Sequence, residues 1–329
     1  MKTNVNTFNT NYKAAIDPNT ESSILRTGED ILKRMETQSK SSIFNKDWWY
    51  GAIMDWSMKN PRFKTNMFRF VDVLPALHSG NEVAKHLKEY FTEGGEELPS
   101  VFNVGLGLGK LAPGLMAGAI RKNVTEMAKM FITGETPKDA LNVLKKTRKN
   151  KITFTVDILG EATLSEKEAL EYQGRYMELI SWLAKESKDW DSIPLIDKDH
   201  MGDIPKINVS VKMTALYSQI KDSAWEESKQ KIKERLRPLF NLAQQNNVFL
   251  NLDMEQYSVK HLTLEVYKEL LMEPEFRSYK HFGCVIQAYL RDSLADIQDL
   301  IDYAKSRGTP FTVRLVKGAY WDYETVEAQ

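Results

Sequence analysis

The sequence is short of cysteine and of net charge. Its 329 residues include one cysteine, Cys284, so no disulfide can form within the chain, which is typical of a protein in a reducing cytoplasm. The 45 Lys and Arg residues balance the 45 Asp and Glu residues, which leaves no basic field to attract nucleic acid. The first residues are polar and predict no secretory signal. These absences favour a globular protein of the cytoplasm without a nucleic-acid partner.

Long hydrophobic runs are also scarce, and the one that could span a bilayer is interrupted. Residues 101–120 are long enough to cross, but Lys110 lies near their centre and Pro113 breaks the pattern. A charge at the centre of a membrane helix costs about 3 kcal/mol. The same stretch does not form a phosphate-binding loop, because Val104 and Leu111 stand where Gly and Ser or Thr are needed. We therefore expect a buried helix here.

Up to about residue 150, apolar residues recur at the three- and four-residue spacing of helices. This spacing is clearest in three segments, residues 23–35, 47–58 and 81–91. Thr136 followed by Pro137 predicts a helix start, because threonine can cap a helix and proline fits its first position. The sequence thus predicts an N-terminal arm and helical domain over residues 1–128.

After this helical domain, the sequence predicts strands that alternate with helices. Five runs are strand-like, namely residues 152–159, 207–213, 248–254, 283–289 and 311–317. Capping boxes that begin at Ser165 and Ser223 predict helix starts between the strands, and Gly308 predicts a helix end. Repeated strand–helix units indicate a parallel sheet, which could be an open sheet or a closed barrel.

The alternation of side chains within these strands favours the barrel. One face of each run is apolar and suits a layer of helices, whereas the other carries polar groups, mostly late in the strand. Strands buried on both faces of an open sheet would be apolar throughout. In a (β/α)8 barrel, side chains at the carboxyl ends of the strands meet at the mouth that holds the active site. The polar residues in these positions are Asp157, Lys212, Asp253, Glu255, Gln287 and Arg314.

Two of these residues, Lys212 and Arg314, are cations, and a cation inside a strand is unfavourable to bury unless it is paired. Together they predict a site for an anionic group such as a carboxylate or phosphate. Alternatives stay open: Asp157 could form an ion pair that only stabilises packing, and Asp253 or Glu255 could balance the cations. Lys212 could also form a Schiff base, as in barrel aldolases. The five histidines show no metal-ligand spacing, so no metal site is predicted.

Several segments resemble, in order, the strand motifs of bacterial proline dehydrogenases, most closely those of the bifunctional proline utilization A family. They are residues 154–162 (FTVDILGEA), 208–216 (NVSVKMTAL), 251–255 (NLDME), 285–290 (VIQAYL) and 313–322 (VRLVKGAYWD). Residues 63–77 (FKTNMFRFVDVLPAL) and 130–141 (MFITGETPKDAL) are similar to the helical region of that family. The last strand motif is the most specific, and the resemblance spans nearly all of the chain after its first residues.

This resemblance implies a flavoenzyme. The family binds FAD in its barrel, oxidises L-proline to Δ1-pyrroline-5-carboxylate by hydride transfer to the flavin, and passes the electrons to a membrane quinone. By motif position, Lys212 is implied to bind the proline carboxylate, Tyr320 to shape the proline pocket, and Asp157 to belong to the same catalytic group. Arg314 is implied to lie near flavin N5, where its charge favours reduced flavin. The full set implied to contact, orient or line the FAD is Asp253, Gln287, Arg314, Val316, Lys317, Gly318, Ala319 and Trp321.

The resemblance also implies features that lie beyond this sequence. The family's barrel has eight strands, so we expect residues 129–329 to form an incomplete (β/α)8 TIM-type barrel of the first five, inactive by itself. An arginine pair that clamps the proline carboxylate and an aldehyde dehydrogenase module are expected after Gln329. No DNA-binding segment is evident, so no repressor role is expected. The expected location is the cytoplasm, including the inner face of the membrane. A lysine-dependent barrel enzyme and a non-catalytic scaffold remain as alternative functions.

Overall fold

The structure is a computed structural model, and it describes residues 17–38, 59, 61–92, 113–129, 132–160 and 162–329. The chain divides into two compact units, residues 1–131 and 132–329. This division lies close to the boundary that the sequence predicts after residue 128.

Helices form the described part of the first unit. They are α1 (Pro18–Gln38), α2 (Pro61–Val73), α3 (Gly80–Thr92) and α4 (Pro113–Ala128). Aromatic side chains join α2 to α3, because Phe63 and Phe70 lie against Phe91 with ring centroids 5.2 and 5.9 Å apart. The helices predicted over residues 23–35 and 81–91 are confirmed within α1 and α3, whereas residues 47–58 lie outside the described residues.

The apolar run over residues 101–120 is described only in part. Its last residues, from Pro113 onward, lie in α4, and the preceding ones lie outside the described residues. In this part Ala117 is buried but Leu115 is 80% exposed, so the expected burial is found only in part among the described residues. Within the described ranges, no helix is both long enough and apolar enough to cross a membrane.

Strands and helices alternate in the second unit. In chain order they are α5 (Pro137–Lys149), β1 (Val156–Asp157), α6 (Glu166–Glu186), α7 (Pro194–Asp197), β2 (Lys198–Asp199), β3 (Gly202–Asp203), β4 (Asn208–Val211), α8 (Trp225–Gln245), β5 (Phe249–Leu252), α9 (Tyr257–Met272), β6 (Phe282–Gln287), α10 (Ser293–Arg307), β7 (Thr312–Val316) and α11 (Trp321–Glu327). A five-stranded parallel sheet has the order β1-β4-β5-β6-β7, and β2 pairs with β3. The α/β fold with five successive parallel strands after a helical region is thus confirmed.

The first strand is shorter than predicted. The sequence predicts residues 152–159, but only Val156 and Asp157 pair, opposite Val209 and Ser210 of β4. β4 has four residues, Asn208–Val211, so in this register no more than residues 155–158 of the predicted run could pair with it, and the middle two do. A strand at a sheet edge has one neighbour, which sets an upper limit on the length of its ladder.

The two faces of the sheet differ as the alternation predicts. Val209 of β4 and Leu250 of β5 are buried in a core with side chains of α6, α8 and α9. Each large apolar side chain buried in this way contributes about 1.5–3 kcal/mol. Ser210 and Asn251 are also buried, but Asn251 Nδ2 donates to Ser210 Oγ at 3.2 Å. This bond satisfies the two side chains across neighbouring strands, whereas Asn208 Oδ1, on the same face of β4, is buried without a hydrogen-bond partner in the described structure.

Helix ends follow three of the four predicted signals. Thr136 and Asp139 form a reciprocal capping box, Ser165 accepts from the Glu168 amide, and Gly308 ends α10 with a left-handed φ of 75°. The cap predicted at Ser223 is wrong. A 3₁₀ turn over Asp222–Ala224 precedes α8, and no side chain caps that helix.

An ion-pair ladder joins α8 to α9. Three cations of α8 recur every four residues, as do three carboxylates on and just after α9, so both sets lie on facing helix sides. Lys229 Nζ lies 2.7 Å from Glu265 and 3.0 Å from Glu269, and Lys233 Nζ lies 2.8 Å from Glu269. Arg237 completes the ladder with two bonds to Glu273, at 2.8 and 2.9 Å. The ladder fixes the register of two helices that cover the sheet.

Candidate active site

A cleft of about 410 Å³ opens at the carboxyl ends of the parallel strands. This volume lies within the ~300–1,000 Å³ range of small-molecule sites. The residues that line it are Asp157, Lys212, Asp253, Met254, Glu255, Val285, Gln287, Arg314, Val316, Lys317, Gly318, Ala319 and Tyr320. The cleft thus brings together every site residue predicted from the sequence except Trp321.

An ion pair joins β1 to the end of β4 at this cleft. Lys212 Nζ lies 3.2 Å from Asp157 Oδ2, and the Lys212 backbone N–H donates to the hydroxyl of Tyr176 at 3.3 Å. The Lys212 side chain is 18% exposed and that of Asp157 is 43% exposed. Ion pairs in contact with water contribute about 0–1 kcal/mol. Asp157 therefore holds the ammonium at the mouth without preventing it from binding a ligand.

A second ion pair joins β5 to β7. Asp253 follows β5, and its carboxylate pairs with the guanidinium of Arg314 on β7. Asn251 Nδ2 also donates to Asp253 Oδ1, at 3.2 Å. The Arg314 side chain remains 42% exposed, so its guanidinium faces the cleft with donors to spare. Both predicted cations are therefore balanced by carboxylates, one by Asp157 and the other by Asp253.

Glu255 is the buried acid of the cleft, with 4% of its surface exposed. Its carboxylate accepts hydrogen bonds from the Thr214 amide at 3.1 Å and from the Thr214 hydroxyl at 2.6 Å. Burial raises the pKa of Glu255, and the two bonds from Thr214 oppose that rise. The backbone carbonyl of Glu255 accepts from Gln287 Nε2 at 2.8 Å, and Gln287 Oε1 accepts from the Ala319 amide at 3.2 Å.

The segment after β7 forms one wall of the cleft. It turns at Gly318, whose φ of 126° is unfavourable for other residues. A Cβ at Gly318 would lie 1.6 Å from the ring of Tyr289, so the close approach also requires glycine. Trp321 starts α11 outside the cleft, 63% exposed, with its ring 5.9 Å from that of Tyr289.

Sequence reasoning missed two apolar lining residues and the partner of one acid. Met254 and Val285 line the cleft, yet the alternation of side chains marks only polar residues as candidates. Of the two acids that could balance the cations, Asp253 pairs with Arg314, whereas Glu255 binds Thr214, a residue that no charge pattern singles out. Among the described residues, no group of three His, Cys, Asp or Glu side chains is arranged to hold a metal ion.

A parallel sheet with charged side chains at its carboxyl edge and a helix layer behind it is consistent with a partial (β/α)8 barrel, a fold of enzymes whose sites lie at that edge. Within that class, the family model for proline dehydrogenase matches residues 140–329. The model for the proline utilization A N-terminal domain matches residues 21–131. The chain belongs to the proline dehydrogenase family, and the resemblance to proline utilization A is confirmed.

Individual relatives agree with these matches. The Bifunctional protein PutA of Escherichia coli K12 is 30% identical over 68% of this chain and 16% of its own length. Proline dehydrogenase 1 of Bacillus subtilis subsp. natto is 28% identical over 59% of this chain and 52% of its own length. A crystal structure of proline utilization A from Bdellovibrio bacteriovorus, inactivated by N-propargylglycine, is 67% identical with a TM-score of 0.83. The match covers 93% of this chain and 30% of the Bdellovibrio chain.

Proposed function

We propose that this chain forms the cleft of a proline dehydrogenase that binds FAD and oxidises L-proline to Δ1-pyrroline-5-carboxylate. The observation that carries the proposal is the Lys212–Asp157 pair at the cleft mouth, with Nζ and Oδ2 3.2 Å apart. A lysine held in this way presents a fixed, part-exposed ammonium to a ligand carboxylate. The inactivator of the Bdellovibrio relative supports this choice, because N-propargylglycine, like proline, is an amino acid whose nitrogen carries a second carbon substituent.

The charge balance of the cleft suits a zwitterion. Its described lining residues include three cations, Lys212, Arg314 and Lys317, and three acids, Asp157, Asp253 and Glu255. An excess of cations would favour a dianion such as a phosphate ester, whereas equal numbers favour a ligand with one charge of each sign. Free proline has one carboxylate and one secondary ammonium at neutral pH.

The residues present also fit a flavin. The backbone of residues 316–320 passes along one wall of an open cleft, and the missing Cβ of Gly318 lets this backbone pack closely against the Tyr289 ring. Arg314 places a part-exposed positive charge on the same wall, where it would stabilise the electron density that a reduced flavin gains. When bound, FAD supplies the hydride acceptor. Val316, Lys317 and Ala319 complete the proposed cofactor wall. Asp253 and Gln287 would orient the flavin against this wall, and Trp321 lies beyond the end of the wall.

Oxidation of proline removes a hydride from Cδ, the ring carbon beside nitrogen that does not carry the carboxylate, and releases the protons of the nitrogen to water, which leaves the C=N bond of the product. Lys212 would bind the carboxylate and so fix the distance of that carbon from the cofactor wall. Asp157 would keep the Lys212 ammonium at the mouth, and Tyr320 would limit the space beside the ring. Precise placement of the reacting carbon is how such side chains accelerate hydride transfer.

The proposal extends to the intact protein. We include a quinone at the inner membrane face as the electron acceptor. We also include an aldehyde dehydrogenase module, because the curated PutA relatives are named as bifunctional and this chain spans 16% of the first of them.

The test is Lys212→Met in the intact protein. This variant keeps the length of the side chain and removes its charge, so proline and cyclopentanecarboxylate should both bind more weakly by about 2–4 kcal/mol, or ~30–1,000-fold. Bound FAD should stay near one per chain. Isothermal titration gives the affinity, and flavin absorbance gives the occupancy.

Lys268→Met is the matched control, because Lys268 pairs with Asp299 on the helix layer, 2.7 Å away and outside the cleft. It should leave proline affinity unchanged. An unaltered proline affinity in Lys212→Met, or a wild-type protein without FAD, would contradict the proposed function.

A further inference from the structure

A chain of hydrogen bonds crosses the cleft from strand to strand. It begins at Thr214, which follows β4, passes through the Glu255 carboxylate after β5, and continues from the Glu255 carbonyl to Gln287 on β6. It ends at the Ala319 amide in the segment after β7. Four consecutive strand ends are therefore joined at right angles to the strands, through side chains that are almost fully buried.

Each member of this chain has a fixed orientation. The Gln287 amide must point its nitrogen at the Glu255 carbonyl and its oxygen at the Ala319 N–H, because the reverse would set like groups against each other. Gln287 is 2% exposed, so water cannot replace either bond. The Glu255 carboxylate in turn accepts both donors of Thr214, only two residues beyond Lys212.

We infer that Glu255 is a positioning residue that connects the Lys212 end of the cleft to the wall around Ala319. Its carboxylate fixes the segment after Lys212, while its carbonyl fixes Gln287 and, through it, the Ala319 amide. Glu255 acts on the cofactor wall through Gln287 rather than by a charge of its own. This inference rests on the proposed function, because it takes that wall to hold FAD.

The test measures how fast the intact holoenzyme releases FAD on dilution, followed by the rise in flavin fluorescence. Glu255→Met should release FAD at least ~10-fold faster, since a lost contact acts mainly on the dissociation rate. Glu255→Gln should stay within about threefold of wild type, because its amide can still accept from the Thr214 N–H and donate to the Thr214 hydroxyl. Rescue by glutamine separates hydrogen bonding from charge.

A double-mutant cycle tests the route through Gln287. Gln287→Met should itself speed FAD release, and Glu255→Met with Gln287→Met should have less than the product of the two single effects, because both break one chain. Glu166→Met is the control: Glu166 binds Ser218 and Arg235 in the same unit, outside the cleft, and its loss should leave FAD release unchanged.

The outcomes are distinct. The inference would be overturned, and the proposed function left intact, if Glu255→Met released FAD at the wild-type rate. The same holds if the effect of the double variant on that rate equalled the product of the two single effects. A wild-type protein that binds no FAD would overturn both. If Glu255→Met fails to fold, Thr214→Val decides, because it removes only the 2.6 Å bond: release at least about threefold faster supports the inference, and unchanged release overturns it.

Discussion

Arg307 offers the sharpest test of how the sheet is held together. It ends α10, is 2% exposed, and makes no ion pair with a carboxylate among the described residues. Its guanidinium instead donates to five backbone carbonyls: Nε to Leu271, Nη1 to Thr309 and Pro310, and Nη2 to Phe276 and Tyr279. These carbonyls belong to the end of α9, the approach to β6 and the approach to β7.

Arg307→Met would remove the guanidinium donors from all five carbonyls, of which that of Phe276 would keep a bond from the Tyr279 N–H at 3.1 Å. The two bonds of Nη2 are short, at 2.9 and 2.8 Å, and hydrogen bonds to a charged group contribute about 1.5–3 kcal/mol each. The other three, at 3.2–3.3 Å, add less, and removal of a buried charge offsets them in part. We expect a loss of about 3–5 kcal/mol, a large fraction of a typical stability of about 5–15 kcal/mol.

Hydrogen exchange of the β6 and β7 amides in the intact protein measures this loss directly, because exchange from those strands reports the opening of this unit. Lys305→Met is the matched control, since Lys305 lies in the same helical turn but its side chain is 70% exposed and, among the described residues, pairs with Asp302 alone. It should change stability by less than about 0.5 kcal/mol. If the free energy of opening that these amides report in Arg307→Met lies within about 1 kcal/mol of the wild-type value, the argument from buried carbonyls is refuted.

Two further predictions concern the cleft wall and the helix layer. Gly318→Ala should lose FAD without global unfolding, as shown by flavin absorbance and circular dichroism, because its Cβ would lie 1.6 Å from the Tyr289 ring; a fully flavinated variant would contradict this. Burial raises the pKa of Glu269, but hydrogen bonds from Lys233 and Lys229 outweigh it, so the pKa of that carboxyl is lowered. Its ion pairs therefore stabilise the fold above the ordinary pKa of 4.5 and lose that effect as pH falls below it. Glu269→Gln should make urea stability less dependent on pH in this acid range, and an unchanged dependence would refute the assignment.

The positions of the five parallel strands along the chain could be predicted from the sequence, because they depend on local signals. Side-chain alternation marks each of these five strands, and residues such as Thr136 and Gly308 mark helix ends through their own backbone preferences. The limits of β1 could not be predicted, because they depend on pairing with β4, a four-residue strand from a distant part of the chain. The same holds for the start of α8, where a 3₁₀ turn replaces the expected cap at Ser223.

The charged members of the candidate site were predictable from the sequence, but the pairs that they form were not. A strand period of two places Asp157, Lys212 and Arg314 at one mouth, since carboxyl ends of parallel strands share an edge. Which carboxylate meets which cation depends on strand order and register, which bring Lys212 to a residue 55 positions earlier in the chain. Glu255 and Asp253 lie two residues apart, yet one binds Thr214 and the other Arg314.

Hydrogen-bond capacity separates a structural cation from a binding one, and this distinction is invisible in sequence. An arginine has five N–H donors and a lysine has three. Arg307 has five hydrogen bonds for its five donors and lies at the amino ends of the strands, so it has none left for a ligand. At the opposite end, Lys212 Nζ bonds Asp157, and Arg314 pairs with Asp253 through Nη2. Both are part-exposed and keep donors free within the described structure, so their unused capacity, rather than their charge alone, is the reason we propose that an anionic group binds at the carboxyl end.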